Sequence, residues 1–259
     1  MRPHVDYLLR LGDSSLVLGQ RLAEWCGHGP VLEEDIAMAN VSLDLIGQAR
    51  LLLAHAGRVE GGGRDEDALA YLRDARAYRN FTLCELPNGG IEKGGVHGAD
   101  YAITMLRNLL YCAYQVQLWE SLRESADSEL AAIAAKSAKE SAYHLRHAAD
   151  WTVRFGDGTE ESHARAQRAL DQLWPYANEL FVTDAVEEEV AAQGIGVRGA
   201  ELRPAWETMI DATLTEACLV KPAASAFRST GKAGLHSEHL DFLLAEMHVR
   251  ARPHPGAQW

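Results

Sequence analysis

The sequence predicts an all-α protein, and three observations carry that prediction. Apolar residues recur at three- and four-residue intervals over long stretches, strand-like alternation is scarce, and turn motifs such as GHGP, PNGG and GDGT fall between the periodic stretches. Residues 5–27 form the first helix, with Leu8, Leu11, Leu18 and Leu22 among its apolar positions and GHGP as its stop. Residues 33–56 form the second, opened by EEDI, whose carboxylates suit the positive end of a helix dipole. A longer connection begins at GRVEGGGRDEDA, carries its own helix over about 65–86 and closes at PNGG. Residues 98–124 and 127–155 form the third and fourth main helices. TEESHARAQRALDQLW then gives a helix interrupted at Pro175, followed by a segment to about Gln193, a helix near 200–217 and a last one near 236–250.

Two helices joined by a tight turn, a long crossover, and two more helices joined by a tight turn is the order of a ferritin-like four-helix bundle. The 259 residues suffice for one large core. The expected organisation is a single domain over 1–259, with the bundle core at about 5–155 and additional C-terminal helices wrapped around it from about 160 to 259.

A formal charge of −12 argues against a surface for nucleic acid or an anionic membrane, because dense phosphate is repelled. No run of about 18 uninterrupted apolar residues is present, so no bilayer span is expected. The opening MRPHVDYLLRLGDSS is neither a secretory signal nor an Arg-rich transit peptide. Cys26, Cys84, Cys112 and Cys218 form no CxxC pair, which fits buried, reduced thiols in a cytoplasmic protein.

A carboxylate-bridged dimetal centre in such a bundle needs one Glu from each of two helices and Glu-x-x-His from the other two. On the fourth helix the residue three after Glu140 is Tyr143, and His144 comes one position late, about 100° round the helix. On the second, Asp44 is followed at that spacing by Gly47, which has no ligand to offer. The third has no carboxylate between Asp100 and Glu120, and the first offers Asp13 and Glu24 near opposite ends. Neither a metal site nor a catalytic residue is expected on this ligand count. The one literal Glu-x-x-His, Glu160 to His163, falls in a helix's first turn, where acidic residues serve the dipole. Asp44, Gln48, Glu140, His144 and His147, with Asn40 nearby, lie along apolar helices and are expected to form a buried polar network. Lys139, Arg50 or Arg146 would supply its positive charge. A general acid–base pair facing a pocket is the sharper alternative for the same residues.

Three stretches carry a resemblance: LGDSSLVLGQRLAEWCGHGPVLEEDIAMANVSLDLIGQARLLL, YHLRHAADWTVRFGDGTEES, and GLHSEHLDFLLAEM with the terminal GAQW. They resemble the PaaC-type subunit of bacterial phenylacetyl-CoA 1,2-epoxidase, from about residue 7 to the last. The resemblance implies a ferritin-like, non-catalytic structural subunit in aerobic phenylacetate catabolism, paired with a catalytic PaaA-type subunit in a hetero-oligomer. That catalytic partner holds the di-iron centre, and the complex is an NADPH- and oxygen-dependent monooxygenase. No cofactor is then expected on this chain, and no family ligand can be carried over to Asp44, Gly47, Glu140 or Tyr143.

A self-sufficient ferritin-like di-iron or manganese oxidase is the second reading, a CoA-ester-binding module acting alone is the third, and a homodimer is an alternative state for the isolated chain. Trp119, Trp174, Tyr176 and Trp206 are candidates for an exposed apolar docking surface, with core packing as the plainer reading. In RSTGKAGLHSEH, Arg228 and Lys232 are candidates for a CoA-phosphate contact, against the plainer reading of a capped loop.

Overall fold

The computed structural model describes residues 2–91 and 98–254, so the terminal GAQW lies outside the described residues. Among those described, no strand occurs, only an isolated bridge between Thr230 and Leu235. The helices group into two compact units, Met1–Leu86 with Ser229–Trp259, and Pro87–Arg228.

The first unit is organised by α1 (Pro3–Ala23) and α2 (Leu32–Glu60). Pro3 occupies the first turn of α1, where its missing N–H costs nothing and its fixed φ suits a helix. Gly12 faces Leu53 and Gly19 faces Ile46, the register of an antiparallel pair. A Cβ at Gly12 would lie 2.9 Å from Leu53 Cδ2, so the missing side chain lets the two helices approach closely. α1 is enclosed on nearly all sides, burying Asp6, Arg10, Asp13, Ser14 and Ser15 along with its leucines. α2 is one-sided, with Met38, Val41, Leu45 and Leu52 inward, and it ends at Gly61 in the left-handed region. By length and composition α2 is apolar enough to cross a membrane, yet it buries Ser42, Gln48 and His55 as the core helix of a folded domain does.

The connection after α2 departs from the single helix expected over 65–86. It breaks into α3 (Glu66–Tyr71), a 3-10 turn at Ala75–Ala77 and α4 (Thr82–Glu85). Asp65 starts α3 by accepting from the Ala68 N–H at 2.8 Å. Arg73 ends it: its buried guanidinium donates to the carbonyls of Leu69 and Ala77, so the chain wraps around the cation instead of continuing as a helix. The last helix, α10 (Glu238–Ala251), packs on α3, α4 and this turn.

In the second unit, α5 (Tyr101–Leu122) is the enclosed helix, packed by α6 (Ser128–Gly156), α7 (Glu160–Ala177) and α9 (Gly199–Glu216). The short α8 (Ala185–Ala192) lies between α7 and α9 in the chain. The starts are locally encoded: Asp127 accepts from the Leu130 N–H, and Thr159 with Ser162 forms a capping box. Pro175 does not interrupt α7 as expected; it sits in the last turn, which tightens into a 3-10 turn at Asn178–Phe181. The later helices therefore divide between the units, α7 to α9 with α5 and α6, and α10 with the connection segment.

Several apolar expectations change with these contacts. Trp119 and Trp206 are core residues, not docking surface, and the Trp206 indole donates to the Leu110 carbonyl at 2.8 Å. Trp174 is half-buried against the Trp206 ring, and Tyr176 meets Phe227 edge-on. Cys84 and Cys112 are buried as expected, and burial pushes the Cys112 thiol up to about 12. Cys26 and Cys218 are exposed instead, because each falls in a turn just beyond a helix end.

Two glycines give opposite predictions for stability. A Cβ at Gly156 would lie 1.9 Å from the backbone oxygen of Ala217, so Gly156→Ala should lower the unfolding free energy by about 1–3 kcal/mol through overpacking. Gly47 has open space around its Cα and helical geometry, so Gly47→Ala should raise it by about 0.5–1 kcal/mol. Urea denaturation of the two variants against wild type measures both signs.

Candidate functional site

The first unit holds two fully buried carboxylates, Asp13 on α1 and Glu85 on α4. A buried carboxylate is costly unless charge and hydrogen bonds compensate it, and each is compensated by protein groups. Arg73 grips Asp13 with both terminal nitrogens, and the Arg79 N–H donates to Asp13 Oδ2 at 2.8 Å. The Arg73 guanidinium also lies 4.3 Å from the centre of the Tyr78 ring. The Tyr78 hydroxyl donates to the Ala70 carbonyl and meets His248 Nε2 at 3.1 Å. Burial pushes the Tyr78 hydroxyl's pKa well up, more than the Arg73 charge beside it pulls it down.

Glu85 accepts three donors. The Ser237 N–H lies 2.6 Å from Oε1, while Asn80 Nδ2 at 2.7 Å and His236 Nδ1 at 2.8 Å meet Oε2. His236 Nε2 faces the Tyr78 carbonyl at 3.1 Å, so both ring nitrogens point at acceptors and the imidazolium satisfies both. Burial alone would lower the His236 pKa, but the hydrogen bond and charge of Glu85, with the Tyr78 carbonyl, outweigh it and raise the pKa above its ordinary value. His248 moves the other way, lowered by burial and then by Arg252. Arg21 ties the assembly to α10, donating to the Glu85 and His239 carbonyls at 2.9 and 2.8 Å.

These residues answer the question of a metal. A di-iron centre, the group implied by the ferritin-like frame, needs carboxylates free to ligate, and the two fully buried carboxylates of this unit are taken up by Arg73, His236 and amide donors. The donor set does not fit the group at the positions the bundle would use. Gly47 offers no side chain, and Tyr143 is exposed with the Arg146 guanidinium over its ring. In the second unit, the buried polar side chains along the middle of α5 are Thr104, Asn108 and Gln115, which are neutral, and Arg107, which is positive. Arg107 donates to Asn88 Oδ1 at 2.7 Å.

The residues expected to form the polar network are placed as follows. Gln48 and His144 are fully buried, Asp44, Glu140 and His147 are half-buried, and Asn40 is exposed. Glu140 pairs with Lys136, one turn earlier, at 3.4 Å. Arg50, Lys139 and Arg146, expected to supply the buried positive charge, are exposed, and Arg50 reaches Glu66 at 3.6 Å. Long side chains on outward helix positions stay in water at lower cost, and the buried cations include Arg10, Arg21, Arg73, Arg107 and Lys232 instead. Glu160 is exposed, and His163 Nδ1 donates to the Gly156 carbonyl at 2.8 Å, a helix-terminal contact rather than a ligand pair. Arg228 is exposed with its guanidinium on the Ser225 and Phe227 carbonyls, whereas Lys232 is buried in a 3-10 turn.

Breaking the Asp13–Arg73 pair leaves a buried charge uncompensated. Arg73→Met should destabilise the chain by about 3–5 kcal/mol in urea denaturation, and adding Asp13→Leu should restore part of that loss. The raised His236 pKa gives a pH signature of definite sign. Its contribution is complete below about pH 6.5 and lost as pH rises through the folded value, so the Tm gap between wild type and His236→Gln should be wider at about pH 5.5 than at about pH 8.5.

Comparisons with known proteins agree with this architecture. A family model described as phenylacetic acid catabolic protein matches residues 1–259. The chain is 46% identical over 253 residues to the C component of 1,2-phenylacetyl-CoA epoxidase from Escherichia coli (strain K12), covering 98% of each. Among solved structures, a Synechococcus protein described as protein 19 with aldehyde deformylating oxidase activity superposes with a TM-score of 0.54 at 15% identity. That match covers 90% of this chain and 97% of the other, and at such identity it speaks to the fold alone. The chain therefore belongs to the phenylacetic acid catabolic protein family and has an all-α, ferritin-like fold.

Proposed function

We propose that this protein is the non-catalytic structural subunit of a cytoplasmic 1,2-phenylacetyl-CoA epoxidase, folded as a single ferritin-like domain. In this reading it docks on and stabilises the PaaA-type catalytic subunit, to which the resemblance assigns the di-iron centre. The identity to a component of an epoxidase supports the complex. The observation that carries the non-catalytic part is the state of the fully buried carboxylates: Asp13 and Glu85 are neutralised by Arg73 and His236, so neither is free to ligate a redox metal. Glu140, the remaining candidate on the fourth main helix, is partly solvated and paired with Lys136.

The chemistry of oxygen insertion belongs to the partner in this account, and this chain's contribution is to hold that partner's helices in place. Glu140→Gln should leave epoxidation by the reconstituted complex within a few-fold of wild type. A loss of several orders of magnitude with the complex still assembled would make Glu140 a catalytic group. Co-expression with the PaaA-type subunit should give one stable species in gel filtration; separate elution at micromolar concentration would contradict the docking role.

A further inference from the structure

α2 carries an aliphatic stripe that the fold does not use. Leu32, Ile36, Leu43 and Leu51 are 72%, 52%, 66% and 39% exposed, although the opposite side of the same helix is packed on α1. At about 100° per residue these four, with Gly47, fall within roughly one quadrant of the helix surface. The stripe runs some 29 Å along the axis at about 1.5 Å per residue, about the length over which two packed helices stay in contact. Gly47 lies in the middle of it with open space before its Cα, a notch that admits a neighbouring helix closely.

We infer that this stripe is the docking surface for an apolar helix of the PaaA-type subunit, an assignment that rests on the subunit reading above. Area and shape support that occupant. Fully burying an aliphatic side chain removes on the order of 100 Å² from water, so the stripe offers roughly 200–250 Å² of aliphatic surface. That is about a quarter to a third of the ~800 Å² that one partner gives to a standard interface, enough for its apolar centre. The exposed Asn40 and Arg50 on the same side suit its polar rim. A second copy of this chain is the less suitable occupant, because two bodies of formal charge −12 repel. The same charge disfavours an anionic bilayer.

The test uses the full chain and the PaaA-type subunit, with binding measured by biolayer interferometry. Leu43→Glu and Ile36→Glu should each weaken the complex by about tenfold or more while leaving the thermal melt of the isolated chain unchanged. Phe242→Glu on α10, at an equally exposed position, should bind as wild type. Should Leu43→Glu and Ile36→Glu both lower the melt, Leu32→Glu at the most exposed site of the stripe carries the same expectation. Wild-type binding with all stripe variants within twofold would overturn the α2 surface and leave the subunit reading standing. No wild-type binding at all would remove both. A wild-type dimer dissociated by Leu43→Glu with the complex unaffected would assign the stripe to a second copy. Wild-type flotation with phosphatidylglycerol vesicles, lost in Leu43→Glu, would assign it to a membrane.

Discussion

The pairing of Asp13 with Arg73 is the constraint around which the first unit is built. The two residues lie 60 positions apart, one on the enclosed helix α1 and the other in the long connection. Neither charge is tolerable in the interior alone, so forming the pair fixes where the connection must run. Arg73 then directs its remaining donors to the Leu69 and Ala77 carbonyls, which ends α3 and starts the next turn. Tyr78 lies against the guanidinium, and its hydroxyl meets His248 Nε2 on the last helix. The Glu85–His236 pair repeats the device one segment later, again joining the connection to the approach to α10. Two buried ion pairs thus organise segments drawn from opposite ends of the chain.

In the proposed reading, this arrangement does the work that a metal does in a metal-binding bundle. In a metal-binding bundle, interior carboxylates repel one another and are held by cations from solution. Here the compensating cations are covalently part of the fold, and each reaches its carboxylate together with amide N–H donors. In the second unit α5 buries neutral amides and the Arg107 guanidinium, which donates to Asn88 Oδ1. Such an interior favours a fixed shape, which suits the partner-positioning role proposed above.

Much of this was legible in the sequence, and the rest was not for physical reasons. The main helices follow from periodicity and from caps such as Asp127 and Thr159, which act within four residues of themselves. The missing Glu-x-x-His pairs could be counted directly at Gly47 and Tyr143. Asp13 within LGDSSLVLG was visible as a charge in an apolar run, but its partner was not, because Arg73 is distant in sequence and reads locally as a solvated residue of a polar connection. The break of that connection into α3, a turn and α4 has the same origin: a tertiary ion pair overrides a helical pattern. Trp119 and Trp206 show the converse limit, since an aromatic on an apolar helix face reads the same whether it meets its own core or a partner.

In the proposed reading, protein cations and not a bound ion stabilise the interior. The most direct test is refolding from urea in chelator-treated, metal-free buffer, followed by titration with Fe(II) and Mn(II). Full recovery of helicity and near-UV ellipticity is expected, with a Tm that neither ion raises. Recovery that depends on iron or manganese, or a Tm that climbs with their concentration, would contradict that reading.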